Sequence, residues 1–264
     1  MIRPMLLAAN VGNSTVKVAS VDGDGRLGPV MRFATARNAD PGSLQAALAA
    51  AGVDATNVGA VAFVTVVPSY ARPFAALAEA SGASLLEATA ATIPITARVD
   101  SPDAVGSDRL LTAWAAARLH GAPAVVVDFG TATTVNAVAA DGAYVGGAIA
   151  PGLMLGLEAL AARTAALPLV SPEWPSRAAA RDTVEAIRSG AVIGHLGAVR
   201  ELVERISREL GSGGNSPRVR LVLAGGLAEA PWWSELGRVD AVDPHLTLRG
   251  LALLHAELSA GVTR

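Results

Sequence analysis

The sequence predicts an α/β protein made of two duplicated lobes that face one another, and three observations carry that prediction. Of the 264 residues, 52% are hydrophobic and only 17% charged, so the chain has the means to bury a large core. Apolar strand-like runs alternate with Ala- and Leu-rich helix-like runs along its length. The segment from Leu6 (LLAANVGNSTVKVASVDGDGRLG) resembles the segment from Val125 (VVVDFGTATTVNAVAADGAYVGG), with Gly12 and Gly130 standing 118 residues apart. In that alignment Asn10 falls on Asp128, Asn13 on Thr131 and Thr15 on Thr133.

Each copy reads as an apolar strand, a small polar turn, a second strand and an Asp-Gly turn, the pattern of a hairpin. Hairpins often look alike, but two so far apart, each with a polar residue closing its first strand, favour duplication. Helices are expected over Pro41–Ala51 and Pro73–Ala83, with a buried strand over Val58–Val66 between them. An Ala-rich helix, Leu110–Leu119, bridges the lobes, which divide into residues 1–118 and 119–264. Helices follow over Gly152–Ala165, Asp182–Gly190 and Ala191–Leu210. Then come a flexible Gly-Ser-Gly-Gly turn at 211–214, a strand over Val219–Leu223, a tight turn at Gly225-Gly226 and a last helix over Leu248–Leu258. Ser171–Arg181, with two prolines and a tryptophan, is expected to be a mobile loop.

Composition removes several function classes. A net charge of −2 and a pI near 6.1 give no field that gathers nucleic acid or anionic membrane. The absence of cysteine excludes disulfides, thiolate nucleophiles and Cys-ligated zinc. The four histidines (His120, His195, His245, His255) have no metal-ligand spacing and read as core or solvated residues. No apolar run reaches the ~18 residues a membrane span needs, and the apolar start is too short for a signal peptide. The expectation is a soluble intracellular protein.

Chemistry is concentrated in three short stretches. In Asn10-Val11-Gly12-Asn13-Ser14-Thr15, a glycine between two strands lets backbone N–H groups approach a ligand and form a concavity that suits phosphate oxygens. Ser14, Thr15 and Lys17 add donors; an ordinary hairpin turn is the competing reading. In Asp128-Phe129-Gly130-Thr131, the carboxylate closes a strongly apolar strand, where ligands of open α/β folds collect and where desolvation calls for a cation or hydrogen bonds; capping of a turn competes. In Gly106-Ser107-Asp108-Arg109, directly before a helix, Ser107 or Asp108 could serve as N-cap. Arg109 in a first turn opposes the helix dipole and fits better facing an anion, which leaves Asp108 to accept a hydroxyl proton. Asp182 reads as a helix cap, Gly225-Gly226 as a strand-to-helix turn able to pack on an adenine, and Trp232-Trp233 after Pro231 as a surface or dimer contact.

NVGNST, GSDR, DFGTATT followed by GGAIAPG, DTVEAIRSG, LAGGLA and DPHLTLRGL occur in the order seen in type III pantothenate kinases, which the chain resembles over nearly its whole length. The resemblance implies actin-like/ribonuclease H-like lobes with an interlobe ATP cleft, and phosphorylation of pantothenate on the way to coenzyme A. It implies ATP, Mg²⁺ and a monovalent cation (K⁺ or NH₄⁺), a cytoplasmic homodimer, and neither nucleic acid nor membrane as partner. By resemblance Asn10, Val11, Gly12, Asn13, Ser14, Thr15, Val16, Lys17 and Thr131 bind ATP. Gly106, Ser107, Asp108, Arg109, Val99 and Thr183 hold pantothenate, with Asp108 as proton acceptor and Arg109 on the carboxylate, while Asp128 ligates the monovalent cation. Three positions depart from the family's pattern. Asn10 and Asn136 stand where an acidic residue is usual, and Val99 where a tyrosine is frequent. Asn10 keeps an oxygen ligand without charge, which favours one alternative, a regulatory accessory protein related to the Bvg accessory factors; a second alternative is a kinase for another small acid, for which Arg109 predicts a carboxylate-bearing acceptor.

Overall fold

The structure is a computed structural model in which residues 5–53, 55, 58–211 and 217–261 are described. The first five strands, β1 (Met5–Val11), β2 (Thr15–Val21), β3 (Met31–Ala34), β4 (Val58–Thr65) and β5 (Ser84–Glu87), form one sheet in the order β3-β2-β1-β4-β5. The second sheet holds β6 (Ala124–Phe129), β7 (Ala132–Val138), β8 (Tyr144–Pro151), β9 (Arg220–Gly225) and β10 (Ala241–Asp243) in the order β10-β9-β6-β7-β8. Renumbering each sheet from its own first strand gives the same order, and the directions agree too. β1 runs antiparallel to β2 and parallel to β4, as β6 does to β7 and β9. The duplication expected from two hairpins thus extends to all five strands.

The helices are α1 (Pro41–Ala50), α2 (Ala71–Ser81), α3 (Ser107–His120), α4 (Leu153–Arg163), α5 (Thr183–Arg188), α6 (Gly194–Leu210) and α7 (Leu246–Gly261). Local chemistry sets their ends. Asp40 accepts the Ser43 N–H at 2.9 Å while Ser43 Oγ accepts the Asp40 N–H, a reciprocal cap followed by Pro41 at the first helical position. α2 stops where Gly82 takes a left-handed conformation (φ +63) that a side chain would resist. Asp182 does cap α5, accepting the Glu185 N–H at 2.9 Å. Both Asp-Gly turns form as expected: Asp22 accepts the N–H groups of Asp24 and Arg26, and Asp141 that of Ala143.

The chain forms two compact units. The first takes in the described residues as far as Thr96, then Asp100–Ala115, then His245 onward; the second takes in Ala97–Val99 and Ala116–Pro244. Compared with lobes of 1–118 and 119–264, the last helix belongs with the first sheet. The chain changes unit within α3.

In the first unit Leu7, Ala9, Val11, Val16 and Val18 pack with Leu44 and Leu48 of α1 and with Phe74 of α2. Alternation along β1 turns Leu6 and Ala8 to the opposite face, also buried, where α7 lies on β1, β2 and β4. In the second unit Val125, Val127, Phe129 and Leu223 pack with Leu157 of α4, Leu196 and Val199 of α6, and Trp232 and Trp233. Those two tryptophans are 7% and 2% exposed, which corrects the reading of Trp232-Trp233 as a surface or dimer contact. Aromatics are so few (4% of residues) that a Trp pair is worth most inside the core.

The segment Ser171–Arg181 carries no regular structure, yet side chains hold it: Arg188 reaches Glu173 at 3.2 Å and Ser171 O, Ser189 Oγ donates to Ala178 O, and Ser176 N–H donates to Glu185. Of the 211–214 turn, all but Gly211 lies outside the described residues.

Candidate active site

β1 ends on Asn10 and Val11, and β2 begins at Thr15, so Gly12, Asn13 and Ser14 make the first turn. Gly12 N–H donates to Thr15 O at 3.1 Å, and Thr35 braces the turn through its hydroxyl on Gly12 O and its N–H on Ser14 O. Asn13 and Ser14 are exposed. Val11 pairs with Val16, both buried in the core, while Asn10 pairs with Lys17 on the opposite face of the sheet. The amide of Asn10 and the ammonium stem of Lys17 are therefore direct cross-strand neighbours.

The second turn is one residue tighter. Phe129 pairs with Thr133 and Asp128 with Thr134, so Ala132 and Thr133 hold the positions of Thr15 and Val16. This corrects the alignment of Thr15 with Thr133. Thr133 is 1% exposed, as Val16 is 0%, and its hydroxyl is satisfied at 3.0 Å by His195 Nε2 of α6. Gly130 N–H donates to Ala132 O, and Gly152, at the start of α4, donates to Thr131 O at 3.0 Å. A side chain on Gly152 would sit 2.5 Å from Gly130 O, so only glycine lets this helix start so close to the turn.

Across the β6–β9 ladder Asp128 pairs with Ala224 and Phe129 with Gly225, and the Asp128 carboxylate leans over the Gly225 Cα. Gly225 has φ +90, and a Cβ there would lie 2.6 Å from both N and O of Phe129 and overlap the Asp128 carboxylate. The bare Cα of this glycine is what gives that carboxylate its place. The following residue, Gly226, donates its N–H to Phe129 O at 2.9 Å, which joins the Gly225-Gly226 turn to the Asp128–Gly130 turn.

At the start of α3, Gly106 O accepts the N–H groups of Arg109 and Leu110. Ser107 and Asp108 lie inside the first turn, so neither is the N-cap. Asp108 Oδ1 accepts the Arg109 N–H at 2.9 Å, and a Cβ on Gly106 would come within 2.6 Å of that oxygen. Burial raises the Asp108 carboxyl above its ordinary value, against the opposing pull of the Arg109 N–H and guanidinium charge. The result is a half-buried carboxylate with enhanced proton affinity beside an arginine.

The other expected substrate residues, Val99 and Thr183, belong to the second unit. Val99 follows Arg98, whose N–H donates to Tyr144 O and whose guanidinium pairs with Asp141 at 2.8 Å. Thr183 is the exposed first residue of α5. Asn136 is fully buried and donates to Thr134 Oγ1 at 3.2 Å.

The family model described as Type III pantothenate kinase matches residues 6–205. The chain belongs to the type III pantothenate kinase family. One relative named Type III pantothenate kinase, from Rubrobacter xylanophilus, is 40% identical over 96% of this chain and 97% of its own. Among solved structures, a conserved Baf family protein from Campylobacter jejuni shares 14% identity at a TM-score of 0.60, covering 96% of this chain and 99% of its own. A candidate 2-dehydro-3-deoxygalactonokinase from Sinorhizobium meliloti shares 18% at a TM-score of 0.55, covering 96% and 99%. At those identities the likeness is one of fold: the duplicated α/β lobes of the actin-like sugar kinases. For this pantothenate kinase family member, the sequence reading missed one cluster around the second turn, formed by Phe129, Thr133, His195 and Trp233. Its signal was a Trp pair in an aromatic-poor chain.

Proposed function

We propose that the protein transfers the γ-phosphoryl group of ATP to the primary hydroxyl of pantothenate, an early step toward coenzyme A. The observation that carries the reading is Asp108, a carboxylate of raised proton affinity next to Arg109 within a chain that matches the family over residues 6–205. Asp108 accepts the hydroxyl proton as the oxygen attacks phosphorus, and Arg109 holds the substrate carboxylate, for which its planar fork is suited. Gly106, Ser107, Val99 and Thr183 complete the pantothenate contacts. Asn10 through Lys17 and Thr131 hold the ATP phosphates through turn N–H groups, hydroxyls and one ammonium. Residues 1–118 and 119–264 supply the two halves of this machinery.

Among the described residues no three His, Asp or Glu side chains gather as a metal cluster, which fits Mg²⁺ carried mainly by the nucleotide's own phosphates. The Asp128 carboxylate, backed by Gly225 and partly exposed, offers the hard oxygen donor that a monovalent cation such as K⁺ or NH₄⁺ takes. When bound, these cations neutralise charge on the phosphates. The chain's own residues do the rest: they orient the acceptor, remove its proton and fix the triphosphate.

Ile149 on the edge strand β8, Met154, Leu155 and Leu160 on α4, and Leu169 and Trp174 beyond it each expose an apolar side chain, which supports a homodimer. No helix of the described residues is long and apolar enough to cross a membrane, and a chain without cysteine suits the reducing cytoplasm.

The test is turnover of ATP with pantothenate, with and without K⁺, in wild type and Asp108→Asn. Loss of a general base lowers kcat by roughly 10²–10⁴-fold; an unchanged kcat removes Asp108 from the role. Asn10 favours a second reading, a binding or regulatory relative with weak catalysis. Turnover that appears only in Asn10→Asp would support it.

A further inference from the structure

Trp233 is 2% exposed and touches both glycine turns of the second unit. Its ring stacks on Phe129 at a centroid distance of 4.1 Å and an angle of 16°. Phe129 lies between Asp128 and Gly130. The Trp233 indole N–H donates at 2.6 Å to the carbonyl oxygen of Leu227, the residue that follows Gly225-Gly226. Leu227 O also accepts the Ala230 N–H at 3.0 Å, so both of its lone pairs are used and the peptide plane after Leu227 is fixed. On a third side the His195 ring meets Trp233 edge-on at 6.0 Å while His195 holds Thr133. One side chain thus joins the turn assigned to phosphate and cation with the turn able to receive the adenine.

Trp232 supplies the contrast. It is buried in the same core (7% exposed) and lies 6.0 Å from Trp233, yet its indole nitrogen has no hydrogen-bond partner among the described residues. It packs; Trp233 packs and bonds.

We propose that Trp233 is a positioning residue that locks the Gly225–Leu227 turn to the Asp128–Gly130 turn and thereby sets nucleotide affinity. This rests on the kinase reading above. Removing the N–H while keeping an aromatic ring, as in Trp233→Phe, frees the Leu227 peptide on one side and leaves the stack partly intact. The effect falls on ATP and not on pantothenate, because neither of the turns that Trp233 joins carries a residue assigned to pantothenate.

The experiment measures Mg-ATP binding by calorimetry in the absence of pantothenate, together with KM for each substrate and kcat, in wild type, Trp233→Phe and Trp232→Phe. A buried hydrogen bond contributes on the order of a five- to tenfold change in equilibrium. Trp233→Phe should therefore raise the ATP Kd and KM by roughly that factor, with pantothenate KM near wild type, while Trp232→Phe leaves both unchanged. If Trp233→Phe does not fold, benzothienylalanine at position 233, which keeps the bicyclic shape and lacks only the N–H, decides the matter. A lowered melting temperature with unaltered ATP KM makes Trp233 a core residue only and overturns the proposal. A wild type that binds no Mg-ATP sinks the kinase reading itself.

Discussion

Gly225 offers the sharpest test of how the second turn is built. Gly225→Ala has two separable effects. At φ +90 an L-residue is strained by about 1–2 kcal/mol relative to glycine. The new methyl also lands 2.6 Å from N and O of Phe129, against backbone held by the β6–β9 ladder, and overpacking of this kind costs about 1–3 kcal/mol. The sum, about 2–5 kcal/mol, is a large share of the 5–15 kcal/mol typical of a folded domain. Gly142→Ala is the control. Gly142 lies in the same unit with φ +84, but nothing stands within 4 Å of its added Cβ, so it carries the dihedral strain alone. The gain from stiffening the unfolded chain is the same for both and cancels. Urea unfolding followed by tryptophan fluorescence, with Trp232 and Trp233 reporting the second unit, should place the Gly225→Ala midpoint well below that of Gly142→Ala at similar slope. Equal midpoints would refute the contact argument. Because the methyl also overlaps the Asp128 carboxylate, the proposed cation ligand, folded Gly225→Ala protein should bind K⁺ more weakly than wild type on that proposal.

Three further outcomes are expected. Burial holds His195 and His255 below the ordinary imidazole value, so below that value the unfolded chain binds protons that the folded chain does not. Stability from this source is complete above about pH 6.5 and is lost as pH falls, and His195→Gln should narrow the drop in melting temperature between pH 7.5 and 5.5. An unchanged drop would exclude His195. Thr112 and Thr247, both buried, share a hydrogen bond of 3.0 Å between α3 and α7. Each single change to Val should destabilise by about 1–2 kcal/mol and the pair by less than the sum, a coupling that a double-mutant cycle reads directly. Finally, charges introduced at Ile149 and Leu155, both exposed on the single chain, should convert the proposed homodimer to a monomer in sedimentation, and a chain that is monomeric before the change would refute that proposal.

Much of this fold was legible because its signals are local. Runs such as Val125–Val127 and Val58–Val64, and turn residues such as Asp22 and Asp141, announce strands and hairpins without help from distant parts of the chain. β8 was silent because Gly146, Gly147 and Pro151 are poor strand residues; it forms because β7 pairs with it along its length. β5 and β10, of four and three residues, are too short to show a period. Among candidate site residues, Asp128, Gly130 and Asp108 were recognisable from a polar residue or glycine abutting an apolar run. The support beneath them was not, since His195, Trp233 and Gly225 lie 62 or more residues from Thr133 and Phe129, and only folding brings them together. The one-residue difference between the two turns was hidden for another reason: both read well as small polar loops, and register is decided by which side chains the core accepts.

The position of α7 carries a consequence for synthesis. The first sheet is made from the opening stretch of the chain, but the apolar side bearing Leu6 and Ala8 waits for a helix from the closing stretch. At about 5–20 residues per second, that side stays open for the time the ribosome needs to add the roughly 160 residues between β5 and α7, and the whole second unit can take shape meanwhile. Removing α7 would therefore injure a sheet made well before it.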